Sequence, residues 1–211
     1  MPPKIPLLPH SPTWLTHFTL QKSHLTTLLS PLLSTDTYRI EHVGSTCIPD
    51  LPAKPVLDID IFVPRHLIEA VRARLVEKGG YMDLGELGIQ GRWVMRQPGY
   101  GAEDVAGVVD EDEDVSDGKR EGEEKGKAGM RINTYVVEEG CVAGRNHEDV
   151  KRVLLQYPDL RKEYGDVKRA VVERTVDMDE YVRGKNEVVL RILERAGWSE
   201  GELEGVRRAN E

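Results

Sequence analysis

Hydrophobic positions recur along this chain with two different periods, and the switches between them mark the elements. From Thr13 to Leu29 the residues Trp14, Leu15, Phe18, Leu25, Leu28 and Leu29 keep the spacing of one helical face, behind Ser11 as a candidate N-cap and Pro12. Tyr38–Val43 then reads as a strand. After the loop GSTCIPDLPAK, residues 55–63 alternate cleanly: Leu57, Ile59, Ile61 and Val63 point to one face, Asp58 and Asp60 to the other. Arg65–Lys78 has the period of an amphipathic helix, closed by Gly79 and Gly80, which suit a left-handed cap. Two further strand-like runs, GRWVMRQ (91–97) and RINTYVV (131–137), are predicted to pair antiparallel.

From there the pattern stays helical to the end. Residues 147–157, 158–174 and 179–196 are periodic in Val, Leu and Tyr, with Pro158 at a helix start and Asp177 or Asp179 as a cap. Asn146 and His147 are read as capping the first of these helices, and a charged helix over residues 199–208 ends the series. The order α-β-β-α-β-β followed by helices predicts an α+β domain built on a mixed sheet, with no repeat of solenoid length.

At 211 residues and 23.8 kDa the chain fits a single domain over residues 1–211. Cys47 and Cys141 are isolated and make no C-x-x-C pair, so no zinc site is expected and a reducing, cytoplasmic setting is. The opening MPPKIPLLPHSPTW is broken by prolines and resembles neither a signal nor a transit peptide. No window approaches the roughly 18 apolar residues of a membrane span, so no membrane role is expected.

Charge changes the picture in one place only. Eleven acidic and four basic residues between Glu103 and Lys127 carry −7 of the net charge of −8, leaving the rest nearly neutral. Poor in large apolar residues, this stretch is expected to be a disordered acidic insertion over 103–129, an overgrown connection between the two hairpin strands. An alternative is an interaction segment for an unknown basic protein partner. No basic stripe with interleaved aromatics predicts nucleic-acid binding, no Walker loop is present, and no serine or cysteine has the partners of a nucleophile.

Candidate chemistry centres on Asp58 and Asp60. Two carboxylates at i and i+2 of a strand share a face, about 6–7 Å apart along the backbone, and hard cations such as Mg²⁺ take such oxygen ligands. The bland alternative is the solvated face of a half-buried strand. What favours a site is the run His42-Val43-Gly44-Ser45-Thr46 directly after the preceding strand, where glycine admits close backbone approach and the N–H groups and hydroxyls can cradle a phosphate. His42 abuts this turn, and Lys54 can act as a point charge on phosphate. Tyr164 with Lys168, and Tyr181 with Lys185, share a spacing that sets each pair on one helical face, suited to a base and a phosphate or simply to packing with an outward lysine. Arg92, Arg96 and Arg131 lie on the hairpin strands and can line the same cleft.

The run EHVGSTCIPDLPAKPVLDIDIFV (41–63) resembles the signature of the GrpB family. The likeness extends through Trp14 and Phe18, the Val136-Val137-Glu138-Glu139-Gly140 strand end, and Tyr164, Lys168, Tyr181 and Lys185, leaving out only the acidic insertion. The resemblance implies a nucleotidyltransferase-like fold of the polymerase-beta superfamily: a mixed β-sheet with flanking helices and a helical C-terminal part. It further implies Asp58 and Asp60 as catalytic and metal-binding residues, with His42, Gly44, Ser45, Thr46, Lys54 and Lys185 around the ligand. The implied cofactors are Mg²⁺ or Mn²⁺ with ATP or another nucleoside triphosphate; the partner is a nucleotide or phosphorylated small molecule, with an unknown acceptor.

Three departures stand out. The family's histidine-bearing strand H-L-H-V-V is here Asn133-Thr134-Tyr135-Val136-Val137, and Asp50 stands where a glycine is expected. The superfamily's third carboxylate, normally on that later strand, has no counterpart there; Glu41, Glu138 and Glu139 are the substitutes at hand. A non-catalytic nucleotide or phospho-ligand binding module is therefore the alternative reading.

Overall fold

The computed structural model describes residues 5–99 and 130–209, so the acidic insertion lies outside the described residues. Helix α1 (Thr13–Leu29) precedes β1 (Arg39–Val43), and a single 3-10 turn at Ser45–Cys47 opens the loop to β2 (Val56–Val63). Helix α2 (Ile68–Gly79), the two-residue strand β3 (Met82–Asp83), β4 (Arg92–Arg96) and β5 (Arg131–Glu138) follow. Helices α3 (Val142–Gln156), α4 (Pro158–Val172), α5 (Met178–Arg183), α6 (Asn186–Arg195) and α7 (Glu200–Ala209) complete the chain.

The α+β expectation holds: five strands form one mixed sheet in the order β1-β2-β5-β4-β3. β4 and β5 pair antiparallel as predicted, Arg96 opposite Asn133 and Arg92 opposite Val137. β5 also runs parallel beside β2, setting Asn133 against Asp58 and Tyr135 against Asp60. This long-range pairing makes β2 a central strand, buried along both faces.

The alternation in β2 sorts the two faces. Leu57, Ile59, Ile61 and Val63 are buried with Trp14, Leu25 and Leu29 of α1 and Val71 and Leu75 of α2, the main core. Leu15, counted in the apolar stripe of α1, is instead exposed. Gly80 closes α2 with φ +69°, its N–H reaching the carbonyls of Leu75 and Val76, the left-handed cap expected at Gly79-Gly80, with Gly79 itself the last helical residue. The opposite face of β2 meets the C-terminal helices, which share a second core in which Ile48 and Leu51 of the β1–β2 loop pack with Val153, Leu154, Tyr164, Val188 and Ile192.

Strand β3 was not read from the sequence, residues 65–67 form a 3-10 turn ahead of α2, and two further differences concern the helices beside the aspartates. Helix α3 starts at Val142, five residues ahead of His147, because the Cys141 thiol takes the capping position and accepts from Gly144 N–H. Asn146 and His147 are therefore inside the helix and do not cap it. The helix expected over 179–196 is two, broken at Gly184-Lys185. A Cβ on Gly184 would lie 2.8 Å from the Val171 side chain, so only glycine lets α5 close on α4 there. Asp177 does cap α5, accepting from Glu180 N–H at 2.8 Å.

Candidate functional site

Asp58 and Asp60 share one face of β2, and that face is not a solvated one. Asp60 is fully buried (0% exposed) and Asp58 partly open. Each carboxylate has one oxygen engaged. Asn133 donates from Nδ2 to Asp58 Oδ1 at 2.8 Å, and His147 Nδ1 lies 2.8 Å from Asp60 Oδ2. An ionised carboxylate only accepts, so Nδ1 is the donor in that contact. Asp60 Oδ1 is buried without a hydrogen-bond partner.

The Gly44 turn packs directly on this pair. Gly44 has φ +70°, and a Cβ there would fall 2.3 Å from Asp58 Oδ2. Glycine is thus required both by backbone conformation and by the space the carboxylate occupies. Ser45 follows and shares a hydrogen bond with the Tyr164 hydroxyl, whose pKa burial pushes up to about 12 against that bond.

Cationic side chains face Asp58 from the helical side. Lys54 sits 5.5 Å from the centre of the Tyr181 ring and donates to Met178 Sδ at 3.3 Å; Lys185, at the α5–α6 break, sits 4.1 Å from the same ring. Burial lowers the pKa of both, Lys185 to about 7, with Lys54 adding repulsion and Asp58 partly offsetting it. Lys168 is 1% exposed, and its ammonium donates to the Pro52 carbonyl at 2.6 Å. The Tyr181–Lys185 pair thus reaches the carboxylate side, whereas Lys168 ties α4 to the β1–β2 loop.

Burial raises the pKa of Asp58, opposed by the Asn133 bond and by the charges of His147 and Lys54, with Asp60 adding to the rise. Desolvation alone would lower His147, but the charge and hydrogen bond of Asp60 outweigh it and hold the imidazole above its ordinary pKa. Arg92 lies over the Tyr135 ring at 4.7 Å, and that ring is 5.9 Å from His147. Arg92, Asn133 and Tyr135 accordingly border the carboxylates, with Arg131 beside Lys54.

Not every predicted residue converges. His42 pairs in register with Ile59 and so lies on the opposite face of the sheet from Asp58. There it stacks on Phe18, bonds Thr46 through Nε2 at 2.9 Å, and is pushed by burial, with Lys151 and His10, down to about 4. The Thr46 hydroxyl donates on to the Val56 carbonyl. The structure therefore gathers Gly44, Ser45, Lys54 and Lys185 around Asp58 and Asp60, and sets His42 and Thr46 behind the sheet as a support for the turn. Of the substitute acids, Glu41 shares the carboxylate face opposite Asp60 in register, its Oε2 held by Lys151 at 3.3 Å. Glu138 and Glu139 are tied to Arg65 and Arg39. A groove of about 530 Å³ between β1 and α3, lined by Arg39, Glu41, Val43, Glu148 and Lys151 among others, runs beside the pair without including it.

Sequence reasoning missed His147 and the placement of Asn133. One signal was available for the first: His147 and Lys151, one helical turn apart, engage the cross-strand neighbours Asp60 and Glu41.

Fold and site together define an α+β domain whose central strand carries a buried carboxylate pair between a glycine turn and a lysine-bearing helical wall. The chain belongs to the GrpB family, whose sequence signature, described as GrpB protein, matches residues 4–195. It is 26% identical to UPF0157 protein YqkA of Bacillus subtilis over 94% of this chain and 49% of that one. It is 31% identical to UPF0157 protein PA4798 of Pseudomonas aeruginosa over 92% of this chain and 68% of that one. The chain thus spans about half the length of YqkA. Among solved structures it is similar to the conserved protein GrpB from Enterococcus faecalis, with a TM-score of 0.64 and 20% identity over 92% of this chain and all of that one.

Proposed function

We propose that this protein is a metal-dependent, nucleotidyltransferase-like protein acting on a nucleoside triphosphate and an acceptor still to be found. The observation that carries the reading is the convergence of Asp58 and Asp60 with the Gly44-Ser45 turn and the ammonium groups of Lys54 and Lys185. Hard carboxylate oxygens suit Mg²⁺ or Mn²⁺, and the buried, unpartnered Asp60 Oδ1 is a donor atom of that kind. No cluster of three His, Cys, Asp or Glu side chains placed for a metal occurs among the described residues. Bound there, a divalent cation would supply charge stabilisation to a phosphoryl group in transfer. The chain's own part is to seat the phosphates against Gly44 and Ser45, offset their charge with Lys54 and Lys185, and hold the carboxylates with Asn133 and His147.

Calorimetric titration with ATP, GTP, CTP and UTP in Mg²⁺ or Mn²⁺ tests this. Metal-dependent binding of one nucleotide is expected, lost in a D58N/D60N double variant that keeps side-chain shape. Equal binding by both proteins would sink the assignment.

One observation favours a second reading. Asn133 stands in register beside Asp58, on the strand where the superfamily pattern calls for a third carboxylate. A phospho-ligand binding module without turnover fits that residue. Binding with no nucleotide transfer to any acceptor screened would support it, and transfer abolished by D60N would reject it.

A further inference from the structure

The two carboxylates differ in what their oxygens can still do, and the difference bears on how many cations they can hold. Asp60 has spent Oδ2 on His147 and keeps Oδ1 buried and free. Asp58, partly buried as a residue, accepts from Asn133 on Oδ1 and sets Oδ2 against Gly44. A pair that holds two divalent cations does so best with both oxygens of at least one carboxylate available, and with further acids to balance four positive charges. Neither condition is met. One oxygen of each aspartate already accepts a hydrogen bond with which an ion would compete, and the strand neighbour of Asp58 is a neutral amide.

The surroundings are already cationic. Lys54 and Arg131 act on one another beside Asp58, Arg92 acts on His147, and Glu41, opposite Asp60 in register, is held by Lys151. A second divalent ion would add two charges to a pocket in which two carboxylates already face these groups, at distances where reduced solvent screening makes repulsion costly.

Building on the cation role proposed above, we infer that this site takes one divalent cation on the oxygens of Asp58 and Asp60 that carry no hydrogen bond, and that the His147 N–H holds the Asp60 oxygen a second would use. His147 is in this sense a positioning residue: it fixes the rotamer of Asp60 and leaves Oδ1, not Oδ2, for the ion. Helix α3 sets the ring there from outside the sheet, through the Cys141 cap and the glycine contact at Gly144.

The test counts ions and does not depend on turnover. The full chain is titrated with Mn²⁺ alone, and free ion is followed by its six-line paramagnetic resonance signal; H147A and H147L are treated alike, the leucine filling the ring's volume without a donor. One Mn²⁺ per chain is expected in the natural protein, none in D58N/D60N, and a second, weaker one in H147A and H147L, where Asp60 Oδ2 is released while the surrounding charges stay. Two ions in the natural protein would overturn the inference while leaving the proposed function standing. One ion in both His147 variants would overturn the part given to His147. No Mn²⁺ bound by the natural protein would remove the cation role itself, and this inference with it.

Discussion

Gly44 and Asp58 constrain each other at the scale of single atoms. The turn needs φ +70°, and the carboxylate fills the volume a methyl group would take, 2.3 Å from its Oδ2. G44A therefore meets backbone strain and a clash together, and the loss in urea-measured stability should be about 1–3 kcal/mol. The Asp58 side chain must turn to admit the methyl, so Mn²⁺ affinity should fall in step; unchanged affinity would mean that the carboxylate geometry does not matter to the ion. Lys185 makes a second prediction with a definite sign. Unfolded, it holds its proton up to its ordinary 10.5; folded, burial beside Lys54 releases it near 7. Between those values the unfolded chain binds more protons, so stability rises with pH, and below about 7 the full cost is present. Lys54 and Lys168 shift the same way. Urea midpoints at pH 7, 8 and 9 should rise, and K185M should flatten part of that rise. Nucleotide binding at pH 8 should take up a proton, visible as a calorimetric heat that depends on the buffer's ionisation enthalpy and is absent in K185M.

Helix α3 shows how an element carries the site without touching a ligand. A Cβ on Gly144 would come within 2.5 Å of the Phe62 ring and 2.9 Å of Val137, so this helix rides closer to the sheet than any residue but glycine allows. G144A should push α3 outward, cost about 1–3 kcal/mol by overpacking, and break the His147–Asp60 bond while leaving both residues in the sequence. A Mn²⁺ count for G144A that matches H147A, with natural Asp60 present, is the outcome expected. The same helix marks where sequence was readable. The period of two in residues 55–63 exposed β2 and its aspartates, because alternation is a local property of a strand. The start of α3 was hidden because Cys141 is an unusual cap and Gly144 reads as a breaker until the Phe62 ring beneath it is seen. The parallel pairing of β2 with β5 joins residues 75 positions apart, which no local period reports, and with it went the meeting of Asn133 and Asp58. The Gly44-Ser45 turn was legible as a close-approach site, whereas the facing of His42 depended on register with β1 and came out on the far side.

At the scale of the whole molecule, the fold and its charge are separable. β4 and β5 are already in register from Arg92 to Arg96, and the Gln97 side chain accepts from Ile132 N–H, so the hairpin's ends lie side by side before the connection begins. Nothing in that pairing requires residues 100–129, which carry eleven acids and four bases and thus −7 of the −8 total. Closing a long connection costs chain entropy that grows by about 0.6 kcal/mol per doubling of length. Replacing 100–129 with a short Gly-Ser turn should therefore stabilise the domain by about 1–2 kcal/mol, the span being reduced through two to three halvings. The shortened chain would be nearly neutral, so association with an anionic nucleotide should quicken at low ionic strength and match the natural protein at 0.15 M salt, where the screening length is about 8 Å. A faster rate that persists at high salt would place the acids within direct reach of the site. A shortened chain that fails to fold would show that the acidic segment is part of the domain and not an addition to it.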